Sequence, residues 1–368
     1  MMNGRMIRWM GLVAGTVLGA SLGAVAATAQ GPRLYVANQD DATVSVVEIA
    51  SRKVVETIDL AAMGFGPNAK PHHAQVEADG AHWYLSMIGA GKVVKFDRAN
   101  RIVGSVSLEV PGLLALDPTA DRLVVGRSMS AVNPPMRIAV IRRSDMILVE
   151  EHEVFFPRPH ALVVDPRGQY AYVASLGVNQ FASVRLEDGQ STLVDFAGGP
   201  QTFTQFAVSR DGHWLVTTAQ SASQLLVYDV RDPGKPVLFK TVPMAKGPFE
   251  PIFTHDAKTV FVTNLDANLV SAVDVATWSV IGTIESVGFG QPHGVALSAD
   301  GKFLFVGNRH QAGGAHDHEG HKAVKKGTLV AVCIPTRTVE AVLEVGNYAA
   351  GLGVAQPATA PMTPTTCR

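Results

Sequence analysis

The chain is poor in cysteine, in charge and in helical pattern, and each shortage closes off a class of function. Only two cysteines occur in 368 residues, Cys333 and Cys367. They make no Cys-x-x-Cys-His haem-attachment motif. One falls on an expected strand and the other in the tail, which argues against a thiol nucleophile. Charged residues are 17% of the chain and the formal net charge is −1, so no polybasic field favours nucleic acid or anionic lipid. The one G-x-S-x-G string, Gly19 to Gly23, falls inside the uncharged run Gly11 to Ala26 and not at a strand-to-helix turn, and there is no H-E-x-x-H zinc motif and no glycine-rich phosphate loop opening a helix. Outside the uncharged run Gly11 to Ala26, nothing is apolar enough to span a membrane.

That run follows Arg5 and Arg8, and small-residue signals follow it at Ala24-Val25-Ala26 and Ala27-Thr28-Ala29. This is the pattern of a secretory signal peptide, residues 1–29, with cleavage after Ala29. The alternative is an uncleaved anchor, but the run is short against the ~20 residues of a bilayer span and no stop-transfer charges follow. The expected location is periplasmic or secreted, which permits a Cys333–Cys367 disulfide. Nothing in the sequence places the tail beside Cys333, so that bond stays open. Residues 356–368, rich in Pro, Thr and Ala, read as a flexible tail.

What is present is repetition. QPHGVALSADGKFLFVGNRH, Gln291 to His310, parses as an apolar strand, an Asp300-Gly301 turn and a second strand. The phrase returns as RPHALVVDPRGQYAYVAS from Arg158 and as KPHHAQVEADGAHWYLS from Lys70. Turns sit at matched places, among them Asp117-Pro118, Asp165 to Gly168, Asp211-Gly212 and Asp256-Ala257. His72 and His160 are 88 residues apart and His160 and His293 are 133 apart, two and three units of about 44. Four short strands per such unit mark a β-propeller blade. Six complete units and a partial N-terminal one can be counted. Ala349 to Ala355, AAGLGVA, aligns with the innermost strand that the partial unit lacks. The expectation is an all-β chain: one seven-bladed propeller over residues 30–355, its ring closed by the C-terminal strand pairing into the first blade. Six or eight blades are the alternatives.

Tyr35-Val36-Ala37-Asn38, Tyr172-Val173-Ala174, Phe261-Val262-Thr263-Asn264 and Phe305-Val306-Gly307-Asn308, with companions Val44-Ser45-Val46-Val47 and Leu269 to Asp274, resemble YVTN-type propeller repeats. The resemblance covers nearly all of the chain after residue 29. It implies the fold; a fold does not assign a reaction.

Aligning the blades on their turns puts His72, His160 and His293 at one equivalent place, the start of the innermost strand at the channel mouth. Gly112, Thr204, Phe249 and Ala350 match them, and His73, Gln205 and Glu250 lie one residue further on. The loop NRHQAGGAHDHEGHKAVKKG, Asn308 to Gly327, carries His310, His316, His318 and His321 and emerges on the same face. Neutral imidazole is a ligand for zinc and copper. The trio could supply three nitrogens, with His73 or Glu250 as a fourth ligand or an orienting partner. A His-rich, Gly-flanked loop suits capture. The plainer readings are a Pro-His repeat consensus whose imidazoles cap backbone groups, and a solvated insertion that binds metal incidentally. His82, His152, His213 and His255 read as ordinary surface histidines. Arg309, beside the mouth, could hold an anion.

Three functions fit these residues. The first is a non-catalytic exported binding protein with zinc or copper at the mouth and a periplasmic partner, similar in outline to periplasmic propeller metallochaperones. The second is a metal- or haem-dependent oxidoreductase, since the chain also resembles, more distantly, the propeller domains of nitrite and nitrous oxide reductases. The third is a protein-interaction scaffold.

Overall fold

The computed structural model describes residues 1, 31–127, 135–310, 326–357, 359, 361 and 363–367. The expected signal peptide lies outside the described residues, as do His316, His318 and His321. Among the described residues the regular elements are twenty-eight strands, β1 to β28 in chain order, and one irregular helical turn at Ala61–Phe65. Among the described residues no helix is long and apolar enough to cross a membrane.

The strands form seven four-stranded antiparallel sheets. Their innermost strands are β28 (Ala349–Val354), β4 (Pro71–Val76), β8 (Pro111–Leu116), β12 (Pro159–Val164), β16 (Phe203–Val208), β20 (Pro248–Phe253) and β24 (Pro292–Leu297), defining blades 1 to 7 in that order. Blade 1 combines β28 with β1 (Arg33–Asn38), β2 (Thr43–Glu48) and β3 (Lys53–Asp59). Leu34 pairs with Val354 and Val36 with Leu352. The chain's last strand thus closes the ring, leaving no blade without its inner strand. The seven-bladed reading holds.

Burial explains the sequence pattern. Inner strands pack against blades on both sides and read as near-continuous apolar runs. Outer strands touch a neighbour on little of their length, and β3 is exposed at every position but Ile58. Aromatics lock the blades together: Trp83 of blade 2 stacks on Tyr35 of blade 1 at 4.2 Å and on Phe96 at 4.1 Å. The repeat asparagines have a mechanical role. Asn38 Nδ2 donates to Ser45 Oγ at 2.9 Å, and Asn264 Nδ2 to Ser271 Oγ at 2.9 Å. The motif and its companion phrase are two ends of one buried hydrogen bond.

Every innermost strand begins in the same unusual way. The residue before it has positive φ in all seven blades: Lys70, Val110, Arg158, Thr202, Gly247, Gln291 and Tyr348, between 41° and 66°. Six of these are not glycine, and Val110 and Thr202 are β-branched, for which the region is costly. One or two residues later the pairing register slips by a bulge in each blade. A bulge re-aims the side chain at its centre. In blades 2, 4 and 7 the bulge contains a histidine.

Cys333 and Cys367 are joined in a disulfide. The described residues of the tail, expected to be flexible, are tied to the face opposite the histidines. Arg210 Nη2 donates to Pro357 O at 2.8 Å and Thr363 Oγ1 to Asp256 Oδ2 at 3.1 Å.

Candidate functional site

Ring closure changes the spacing of the three histidines. Around the mouth the bulge residues run Ala350, His72, Gly112, His160, Thr204, Phe249, His293 and back to Ala350. His293, His72 and His160 therefore stand on alternate blades of one arc, with Ala350 and Gly112 between them. The small residues leave room for imidazoles to approach. The rings of His72 and His160 lie 5.9 Å apart across Gly112.

Each imidazole donates one N–H to the protein and so keeps one lone pair. His72 Nδ1 lies 3.1 Å from Gln39 Oε1, and His72 Nε2 is buried with no hydrogen-bond partner. His160 bonds the Arg127 carbonyl, and its Nδ1 is buried with no partner. His293 Nδ1 lies 3.1 Å from Ala350 O, which makes Nε2 the acceptor nitrogen. An imidazole oriented by a carbonyl on one nitrogen is arranged as metal ligands are. All three are held neutral. Burial, then the Arg309 cation, lowers His72 to about 4; burial lowers His160 to about 3; and burial with Arg309 takes His293 well below its ordinary value.

His73 and Glu250 serve the ring instead. His73 Nδ1 accepts the Leu114 N–H of the next blade at 3.2 Å, so the neutral ring has no lone pair left for a metal. Glu250, at the equivalent place in blade 6, accepts the Val295 N–H of blade 7, and burial raises its carboxyl to about 8. Part of its surface stays open, although protein surrounds it. Both groups satisfy the unpaired inner edge of a neighbouring strand. Hydroxyls do the same for carbonyls: Thr204 Oγ1 donates to Phe249 O at 2.7 Å and Thr263 Oγ1 to His293 O at 3.2 Å.

The His-rich loop starts where the alignment puts it. Arg309 N–H donates to Gln291 O and His310 N–H to Gly290 O, so the loop's base is fastened beside the start of β24. His310 is thus near His293, while His316, His318 and His321 lie outside the described residues. Among the described residues, no group of three or more His, Cys, Asp or Glu side chains is gathered so as to hold a metal ion as it stands. Gln39, Arg127 and Tyr348 were not legible as site residues. Gln39 follows the Tyr35–Asn38 motif, and Arg127 ends a second strand where blades 1, 6 and 7 have asparagine and blades 2, 4 and 5 have Met87, Ser175 and Ala219.

No family model matches the chain. The uncharacterized protein YncE of Salmonella typhimurium LT2 is 30% identical over 109 residues, 30% of this chain and 29% of that protein; YncE of Salmonella typhi is 29% identical over 109 residues. The match thus spans under a third of these relatives' length. A functionally unknown protein from Desulfotomaculum acetoxidans DSM 771 superposes with a TM-score of 0.70 at 12% identity, over 89% of this chain and 100% of that one. Dihydro-heme d1 dehydrogenase NirN, solved in complex with DHE, gives 0.56 at 16% identity over 87% and 74% of the two chains. Kuenenia stuttgartiensis hydrazine synthase gives 0.61 at 19% over 77% and 89%. The relatives are YncE-like propeller proteins. The YVTN-type repeats agree with that likeness, and the likeness to solved structures is one of fold.

Proposed function

We propose that this chain is an exported binding propeller that holds a transition metal ion, zinc or copper, at the histidine mouth without catalysing a reaction. One observation supports the reading most: His72 Nε2 and His160 Nδ1 are buried lone pairs with no partner, on rings 5.9 Å apart. Metal–nitrogen bonds of about 2.0–2.1 Å put two imidazole centroids sharing one ion roughly 5–6.5 Å apart. His293, His310 and the loop histidines would complete the coordination. The ligand set is all nitrogen, which suits zinc and copper over magnesium or calcium.

A second observation favours a protein partner on the same face. The loops there carry Met63, Met136, Phe155, Val178 and Val287 exposed, and Val287 is 89% exposed. Among the described loop residues from Gly31 onward, no large apolar side chain is comparably exposed on the opposite face. Their concentration on one face favours an interaction there, and delivery of metal to a partner would use the face that holds it.

The test is elemental analysis of untagged protein after dialysis, with His72/His160/His293→Ala and a deletion of residues 313–321 in parallel. One zinc or copper per chain is expected, lost in the triple variant and reduced in loading rate by the deletion. Absence of micromolar uptake, or uptake indifferent to the triple variant, ends the reading. A coloured, stoichiometric copper or haem centre points to the oxidoreductase alternative.

A further inference from the structure

We infer that the mouth takes its metal together with a small free carboxylate, whose anionic group is held by Arg309 between Phe249 and Tyr348. The inference rests on the metal reading of the three histidines and adds to it the class of co-ligand.

Arg309 is placed by backbone, not by an acid. Its N–H is bonded to Gln291 O at 3.3 Å, at the foot of the strand that carries His293. Its guanidinium carbon lies 4.6 Å from the centre of the Tyr348 ring and 5.6 Å from that of Phe249. The His293 ring packs against the same two, 4.1 Å from Phe249 and 6.1 Å from Tyr348. Guanidinium and imidazole thus share one aromatic frame. Contacts with the faces of aromatic rings engage the cation's charge and leave its in-plane N–H groups for an oxyanion.

Those N–H groups are short of partners. Arg309 Nε is buried with no hydrogen-bond partner, and among the described residues no carboxylate forms an ion pair with Arg309. Asp40 and Asp266 act on it only through space, and Asp40 faces Lys70 at 3.8 Å. Glu250 is committed to the Val295 N–H. The unpartnered nitrogens of His72 and His160, both more than nine-tenths buried, independently mark the mouth as a place built for a ligand.

Charge then selects the co-ligand. Three neutral imidazoles contribute none, so a divalent ion beside a fixed guanidinium would gather positive charge in a partly buried site, where repulsion is poorly screened. A carboxylate answers both cations. One oxygen reaches the metal, as oxygen ligands of zinc do, and the planar group matches the guanidinium fork.

The experiment is equilibrium dialysis of zinc into the metal-free full chain, in perchlorate or in acetate at equal ionic strength. It compares wild type with Arg309→Gln, Arg309→Lys and His72→Ala/His160→Ala. Acetate is expected to tighten zinc about tenfold in wild type and to leave Arg309→Gln within twofold, while that variant still binds zinc in perchlorate. Arg309→Lys, which keeps the charge without the flat fork, loses most of the tightening and serves should Arg309→Gln fail to fold. Zinc binding that needs the histidines but ignores acetate, or tightening that survives in both Arg309 variants, overturns this inference alone. Zinc binding that ignores the histidines overturns the metal reading and this inference with it.

Discussion

Gln39 Oε1 accepts the hydrogen bond of the His72 Nδ1–H and thereby decides which nitrogen faces the mouth. Replacing it with leucine keeps the bulk and removes the acceptor. Metal affinity is expected to fall 10–100-fold with little change in folding, checked by competition with a chelating indicator; unchanged affinity would mean that Gln39 does not orient the ring. Glu250 yields a pH prediction. Burial pushes its carboxyl up from the ordinary 4.5 to about 8 in the folded protein. Between those values the folded protein keeps a proton that the unfolded chain has released, so this group's contribution is largest on the acid side and is lost as pH rises through 8. In urea unfolding of metal-free protein, wild type should lose more stability between pH 5 and 8.5 than Glu250→Gln does. The difference is a few kcal/mol at most, since each pKa unit is worth about 1.4 kcal/mol and the partly open site admits water. Parallel losses would show that Glu250 is ionised in the fold.

At the scale of elements, the left-handed residue and the bulge that follows it form one device repeated seven times. Strain of about 1–3 kcal/mol for such a conformation persists only where surrounding structure imposes it, and here the blade's own second strand holds it: Ile88 N–H donates to Lys70 O, Leu176 N–H to Arg158 O and Gln220 N–H to Thr202 O. Glycine is needed where the closing strand is wedged between its neighbours. A Cβ on Gly351 would stand 2.5 Å from His72 O and 2.7 Å from His73 Cα, both backbone atoms. Gly351→Ala should cost about 1–3 kcal/mol in urea unfolding and weaken metal binding through displacement of His72. An unaffected metal site in a destabilised protein would separate closure from the mouth. The disulfide is the other fastening. Cys333 and Cys367 are 34 residues apart, and a cross-link of that length restricts the unfolded chain by about 3–4 kcal/mol. Cys367→Ser is expected to lose that stability and to expose the tail to limited proteolysis, while metal affinity stays unchanged because the bond lies on the opposite face.

At the scale of the whole molecule, the ring makes a site that no blade contains. Each blade contributes one bulge residue, and only seven blades closed on themselves bring His293 within two places of His72. Metal binding should therefore stabilise the ring as a unit, by about 2.7 kcal/mol at a hundredfold excess over Kd, read as a rise in thermal midpoint of several degrees. The His72/His160/His293→Ala variant should show no rise. A rise that persists would place the stabilising ion elsewhere, the His-rich loop being the first place to look.

The fold was legible in the chain, because the period of about 44 residues, the Asp-Gly turns and the alternation of apolar residues are local consequences of strand and turn geometry. It also aligned His72, His160 and His293, since equivalent positions in repeats stay equivalent in space, and it named AAGLGVA as the closing strand. Numbering alone separates His160 from His293 by 133 residues and makes the trio look uneven around the mouth. The ring leaves those two three blades apart but brings His293 within two blades of His72, with Ala350 between them. Which nitrogen each imidazole keeps depends on the folded ring, because Gln39, the Arg127 carbonyl and the Ala350 carbonyl come from other blades. The same holds for His73 and Glu250, adjacent to the site in sequence and assigned to neighbouring backbone edges in space. Hydrogen bonds between blades depend on packing, and packing is not periodic in the chain.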